Sequence, residues 1–94
     1  MTIRIEITHR FETEIPYLAI ASITFDEVLR IPNFKLMKGK NGLRVAVPKS
    51  TWVDKMGTSR YRCVVEMISH SAYQAILDAV ITAYKTHREV LIQL

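Results

Sequence analysis

Along most of this chain apolar residues recur at every second position, and near Ser71 the period changes to 3.6. Strands therefore come first and one helix follows, which points to the α+β class. Over 2–10, Ile3, Ile5 and Ile7 alternate with Arg4, Glu6 and Thr8, as in a half-buried strand. Residues 17–25 are largely apolar or β-branched and too few for a typical helix, so they read as a central strand buried on both faces. Asp26-Glu27 is expected to turn the chain. Strand resumes over 28–31 and 34–38, with Pro32-Asn33 as a bulge between. There Phe34 and Leu36 face one side, and Lys35 and Met37 the other. Gly39-Lys40-Asn41-Gly42 reads as a tight hairpin turn, with Asn-Gly at the central positions that need positive φ. Residues 43–47 return with Leu43, Val45 and Val47 inward and Arg44 outward, until Pro48 ends the pairing.

Residues 49–59 have no clear period and are expected to form a long exposed loop. Alternation over 60–67 puts Tyr61, Cys63, Val65 and Met67 on one face. From Ser71 onward, Tyr73, Ile76, Leu77, Val80, Tyr84, His87 and Leu91 form a helical stripe, and Ser71 with Gln74 fits a capping box. The expected architecture is an antiparallel meander of about five or six strands over 2–68, covered by one long helix over about 71–92. With 94 residues, the chain has enough surface for one core and is read as a single domain, 1–94.

Several function classes fall away on composition and spacing. Apolar residues make up 49% and charged residues 23%, which excludes a disordered chain. The longest uncharged apolar stretch, 15–25, falls well short of the roughly twenty residues a membrane helix needs. The first residues alternate instead of forming the apolar run of a secretory leader. Cys63 is the lone cysteine and has no internal disulfide partner, which fits a reducing cytoplasm. His9, His70 and His87 are not at metal-ligand spacing, and no serine or cysteine lies in a nucleophile elbow. Glu12 and Glu14 share one connection but lack a third catalytic partner. Neither an enzyme nor a bound cofactor or metal is expected.

The charge is strongly segregated. Residues 30–62 carry Arg30, Lys35, Lys38, Lys40, Arg44, Lys49, Lys55, Arg60 and Arg62 against Asp54 alone, whereas both flanking thirds are net acidic. A basic block of this kind on a folded domain suits a polyanionic partner. Lys35, Arg44 and Arg62 have outward parity on strands expected to be neighbours, and Lys49 and Lys55 decorate the adjoining turns. Trp52 and Tyr61 are interleaved with these cations, as stacking platforms for bases would be. Trp52 can equally anchor its loop, and Tyr61 can belong to the core. The candidate nucleic-acid contacts are thus Lys35, Arg44, Lys49, Trp52, Lys55, Arg60 and Arg62. The only helix is poor in basic residues, so phosphate and shape are expected to outweigh base-edge readout. A rival reading makes the chain a protein-interaction adaptor that uses an exposed sheet edge and the apolar segment Val90-Leu91-Ile92-Gln93-Leu94.

Two blocks carry a family resemblance: Ala19-Ile20-Ala21-Ser22-Ile23-Thr24-Phe25-Asp26-Glu27, and Gly39-Lys40-Asn41-Gly42-Leu43 with Val45-Ala46-Val47-Pro48. Their order and spacing resemble the stage V sporulation protein G (SpoVG) family over about residues 2–88. The resemblance implies a small cytoplasmic regulator that binds DNA and RNA, with a role in septation or sporulation. It also implies a homodimer or higher assembly formed through the sheet. Lys49 and Ser50 take the place of the family's Ser-Lys, Tyr61-Arg62 that of its Phe-Arg, and Lys35 that of a frequent arginine. The family's Asp-Ile-Ala-His-Pro-Ile run reads Cys63-Val64-Val65-Glu66-Met67-Ile68 here, and its acidic tail reads Val-Leu-Ile-Gln-Leu.

Overall fold

The first strand, β1 (Thr2–Arg10), lies between two partners, and its backbone serves them alternately. It pairs antiparallel with β2 (Tyr17–Phe25) on one side and with β7 (Val90–Gln93) on the other. Next to β2 runs β3 (Leu29–Gly39), and next to β3 runs β4 (Gly42–Ala46), which completes a five-stranded sheet in the order β4-β3-β2-β1-β7. A separate two-stranded ribbon consists of β5 (Lys49–Val53) and β6 (Ser59–Cys63). The helix α1 (His70–Thr86) covers one face of the large sheet. The computed structural model describes residues 1–13 and 16–94; Glu14, weighed above with Glu12 as a carboxylate pair, lies outside the described residues.

The core forms where the two apolar periods meet. Ile3 and Ile5 of β1, Ala19, Ala21 and Ile23 of β2, Phe34 and Leu36 of β3 and Val45 of β4 are buried on the face toward the helix. Ile76, Leu77, Ala79, Val80 and Ala83 close over them from α1. Burying a Leu, Ile or Val side chain is worth about 1.5–3 kcal/mol, so this stripe holds the helix to the sheet. The other sheet face is left to Tyr17, Ile20, Lys35, Met37, Arg44 and Ala46.

Both sheet edges are defined by side-chain or strand chemistry. At β4, the Tyr73 hydroxyl of α1 accepts from the Val45 N–H at 3.0 Å and donates to the Val45 carbonyl at 3.1 Å. One phenol therefore satisfies both outward backbone groups of that residue. At β7, Met1 and Leu94 exchange backbone hydrogen bonds in both directions. Antiparallel pairs alternate between bonded and non-bonded, so Ile3–Ile92 and Ile5–Val90 are bonded, while the N–H and C=O of Leu91 and Gln93 point away from β1. Arg4 ties this edge down through ion pairs to Glu27 and Glu89; the Glu27 hydrogen bond leads the causes that raise its pKa further.

The α+β class and the antiparallel strands are as the sequence predicts, and four local expectations are corrected. The helix ends at Thr86, and what reads as its continuation to 92 is the strand β7. His87 adopts a left-handed φ of 57° that terminates the helix, after which Val90 and Ile92 alternate onto the core. The helix is capped by Ser69, whose hydroxyl accepts from the Ala72 N–H at 3.2 Å, and not by Ser71. The supposed loop 49–59 is mostly strand, because Thr51, Trp52 and Val53 favour extended backbone and Asp54 closes a tight turn. In the β3–β4 hairpin Gly39 pairs with Gly42, so Lys40 and Asn41 are the two loop residues and the positive φ falls on Gly42 at 120°.

The bulge expected at Pro32-Asn33 is present. The β2–β3 register slips between Ala21 and Ile23, and Asn33 takes a left-handed φ of 69°. Asparagine tolerates that conformation better than most residues.

Candidate functional site

After the buried Pro48 the chain leaves the large sheet, and the β5–β6 ribbon folds back beside its helix-free face. Strand alternation then divides the ribbon's side chains. Lys49, Thr51 and Tyr61 look toward the sheet, while Ser50, Trp52, Arg60 and Arg62 share the opposite side. Between ribbon and sheet lies a groove of about 590 Å³. Tyr17, Ile20, Asn33, Lys35, Met37 and Arg44 line its sheet wall.

Two cation–aromatic pairs face this groove. The Lys35 Nζ sits 5.0 Å from the centre of the Tyr17 ring, and the Lys49 Nζ sits 4.8 Å from the centre of the Tyr61 ring. Each pair holds an ammonium beside a ring face by the ring's quadrupole. Arg44 adds a third cation. Among the described residues no carboxylate lines the groove, and no ion pair involves Lys35, Arg44 or Lys49. Two acids of the β2–β3 turn are engaged elsewhere: Asp26 accepts from the Thr2 N–H, and Glu27 is held by Arg4.

Arg60 is differently placed. Its Nε donates to Asp54 Oδ2 at 2.8 Å, and Asp54 Oδ1 also accepts from the N–H groups of Met56 and Thr58, both at 2.9 Å. The Arg60 hydrogen bond is the largest cause holding the Asp54 carboxyl below its ordinary pKa, followed by that of Thr58. This carboxylate organises the ribbon turn, so Arg60 is partly neutralised. Lys55 is exposed in the same turn.

Of the seven residues the sequence singled out, Lys35, Arg44 and Lys49 are brought together in the groove. Trp52, Arg60 and Arg62 lie on the ribbon's far side, and Lys55 at its tip. Arg62 is thus not a neighbour of Lys35 and Arg44, because it belongs to a different sheet. Trp52 is 46% exposed and Tyr61 65% exposed, so neither is ordinary core. Sequence reasoning passed over Tyr17 and Asn33. The signal for Tyr17 was an aromatic with a hydroxyl at the very start of a strand read as wholly buried. For Asn33 it was a residue suited to left-handed φ inside a strand.

Residues 1–86 match the family model SpoVG. The chain belongs to the SpoVG family. Septation protein SpoVG of Finegoldia magna is 39% identical over 71 residues, which cover 76% of this chain and 62% of that protein. Its counterpart in Clostridioides difficile is 35% identical over 74 residues, covering 79% of this chain and 73% of the relative. That of Bacillus cereus is 35% identical over 75 residues, covering 80% and 73%. The match to the Finegoldia protein thus spans less than two thirds of that protein's length. All the groove residues fall within the SpoVG match, whereas β7 lies beyond its end at residue 86.

Proposed function

We propose that the protein is a non-enzymatic nucleic-acid-binding regulator of the cytoplasm, acting in septation as its relatives' names suggest. The observation that carries this reading is a groove with three cations and two aromatic rings and, among the described residues, no carboxylate. Lysine and arginine in such a place neutralise phosphates and release their counterions, while the rings offer faces to bases. Lys55 and Arg62, exposed along the ribbon, extend the positive track beyond the groove, and Trp52 is a further stacking surface at its end. The single helix covers the opposite sheet face, so no helix is aimed at a duplex groove, and low sequence specificity follows.

Titration against duplex DNA and single-stranded RNA tests the proposal. Binding is expected at about 50 mM salt and should weaken steeply by about 200 mM. Reversing Lys35, Arg44 and Lys49 to glutamate should abolish it. Absence of binding at the lower salt, or unchanged affinity in the reversed variant, overturns the reading.

We also propose self-association through the sheet. The support is the β7 edge, where Leu91 and Gln93 direct outward backbone groups that have no partner among the described residues, and Leu91 is 62% exposed. The β4 edge is sealed at Val45 by Tyr73. Antiparallel pairing of two β7 strands would join two sheets into one. Leu91→Pro removes an outward N–H without touching the bonds to β1, so it should shift sedimentation from dimer to monomer while the fold persists. A wild type that is monomeric at micromolar concentration excludes the assembly. The adaptor reading is weaker, because the apolar segment is spent on β7: Val90 and Ile92 pack on the core.

A further inference from the structure

The groove's walls say which form of nucleic acid it suits. In a duplex the faces of the bases are covered by their stacked neighbours, and only edges are reachable, through the grooves. A tyrosine ring held in a cleft can reach a base face only when that base is unpaired. Here Tyr17 stands on the sheet wall and Tyr61 on the ribbon wall of one cleft. Each already has a lysine ammonium over its ring, at 5.0 Å and 4.8 Å from its centre. A nucleotide presents a phosphate and a base separated by a sugar, and a lysine beside a ring is the matching pair of partners. The contact keeps the two partners within reach of one nucleotide, and a base that stacks on that face moves the ammonium aside toward the phosphate.

Asn33 adds a group that neither phosphate neutralisation nor stacking requires. It lines the same groove, and its side-chain amide makes no hydrogen bond among the described residues. It is held at a left-handed φ of 69° by the β3 bulge. A non-glycine residue kept in that region costs free energy unless the surroundings require it, and such positions gather at binding sites. An amide offers a donor and an acceptor side by side, which is what a base edge accepts.

We infer that this groove is a single-strand site, in which unpaired bases stack on Tyr17 and Tyr61, Lys35, Arg44 and Lys49 hold the flanking phosphates, and Asn33 hydrogen-bonds a base edge. The inference rests on the nucleic-acid reading above and narrows it to unpaired strands. Duplex contact, where it occurs, is left to the exposed cations of the ribbon.

The test compares fluorescence anisotropy of labelled homo-oligomers of about 12 nucleotides, within the site sizes of single-strand binders, with a duplex of the same length. The wild type should bind the single strands more tightly than the duplex. Tyr61→Ala, at a position 65% exposed and therefore tolerant of truncation, should lose about tenfold on single strands and less than about twofold on duplex. Tyr61→Phe keeps the ring and should restore single-strand affinity, which a merely structural loss would not allow. Asn33→Gly preserves the left-handed backbone and should alter the order of preference among the homo-oligomers without changing duplex affinity. If duplex and single strand bind equally and Tyr61→Ala lowers both alike or neither, the single-strand assignment is wrong while nucleic-acid binding stands. An unchanged order of preference in Asn33→Gly removes Asn33 from the site. Failure to bind either probe overturns the nucleic-acid reading and this inference with it.

Discussion

Replacing Lys35, Arg44 and Lys49 together by alanine should change the salt dependence of nucleic-acid binding by a calculable amount. All three line one groove, and none is ion-paired to a carboxylate among the described residues, so each is available to a phosphate. A cation that neutralises one phosphate contributes about 0.7 to the slope of log affinity against log salt on a single strand and about 0.9 on duplex DNA. Three such contacts give a slope of about 2.1 on a single strand, or roughly an 18-fold loss of affinity as salt rises from about 50 to 200 mM. The variant should lose that part of the wild-type slope, measured by anisotropy over a salt series, with circular dichroism confirming the fold. Arg60→Ala is the internal contrast. Its guanidinium is committed to Asp54, so its slope should fall by less than one phosphate equivalent. A triple variant whose slope stays within about 0.5 of wild type would refute the assignment of these cations to phosphate.

Three further outcomes follow from the packing. Tyr73→Phe removes both hydrogen bonds at Val45, and it should cost about 1–3 kcal/mol, read in urea melts; a loss under about 0.5 kcal/mol would show that water replaces the phenol. The Asp54 carboxyl lies below its ordinary value of 3.8 when folded, chiefly through Arg60, so its contribution to the ribbon turn is present above that value and disappears as pH falls through the lower folded one. Amide protection factors at Met56 and Thr58 should therefore fall below about pH 3.8, and Asp54→Asn should flatten that acid dependence; identical profiles would exclude the carboxylate as the cause. Ser22 is 4% exposed and its hydroxyl has no hydrogen-bond partner among the described residues, so Ser22→Ala should be neutral or stabilising by up to about 1 kcal/mol in the same melts; a destabilisation above about 1 kcal/mol would mean that the hydroxyl is satisfied in solution.

How far the site was legible depended on the range of each signal. The parity of Lys35 and Arg44 could be read correctly because both sit in one hairpin, where alternation and turn set the register. Lys49 could be named as a cation but not as a groove residue. Its position depends on the ribbon leaving the sheet after Pro48 and returning beside Tyr17, some thirty residues earlier in the chain. The same departure leaves Tyr61 and Cys63 exposed, since a face shared along one strand does not say whether a helix or a second sheet will cover it. Val90 and Ile92 were absorbed into the helix for a similar reason. A four-residue alternation following a helical stripe looks like more stripe until a partner strand is known, and that partner is β1, at the other end of the chain.

The sequence by itself determined that this chain makes antiparallel strands and one helix, where the β3 bulge falls, and that its positive charge is concentrated in the middle third. These are local properties, written in side-chain period, backbone preference and residue order. Only the tertiary structure decided which cations share a cleft, that Tyr17 and Asn33 stand opposite Tyr61, and that Arg60 is held by its own aspartate. Such neighbours are separated along the chain and united by how two sheets dock, and docking is a matter of shape and burial that no short stretch of residues contains.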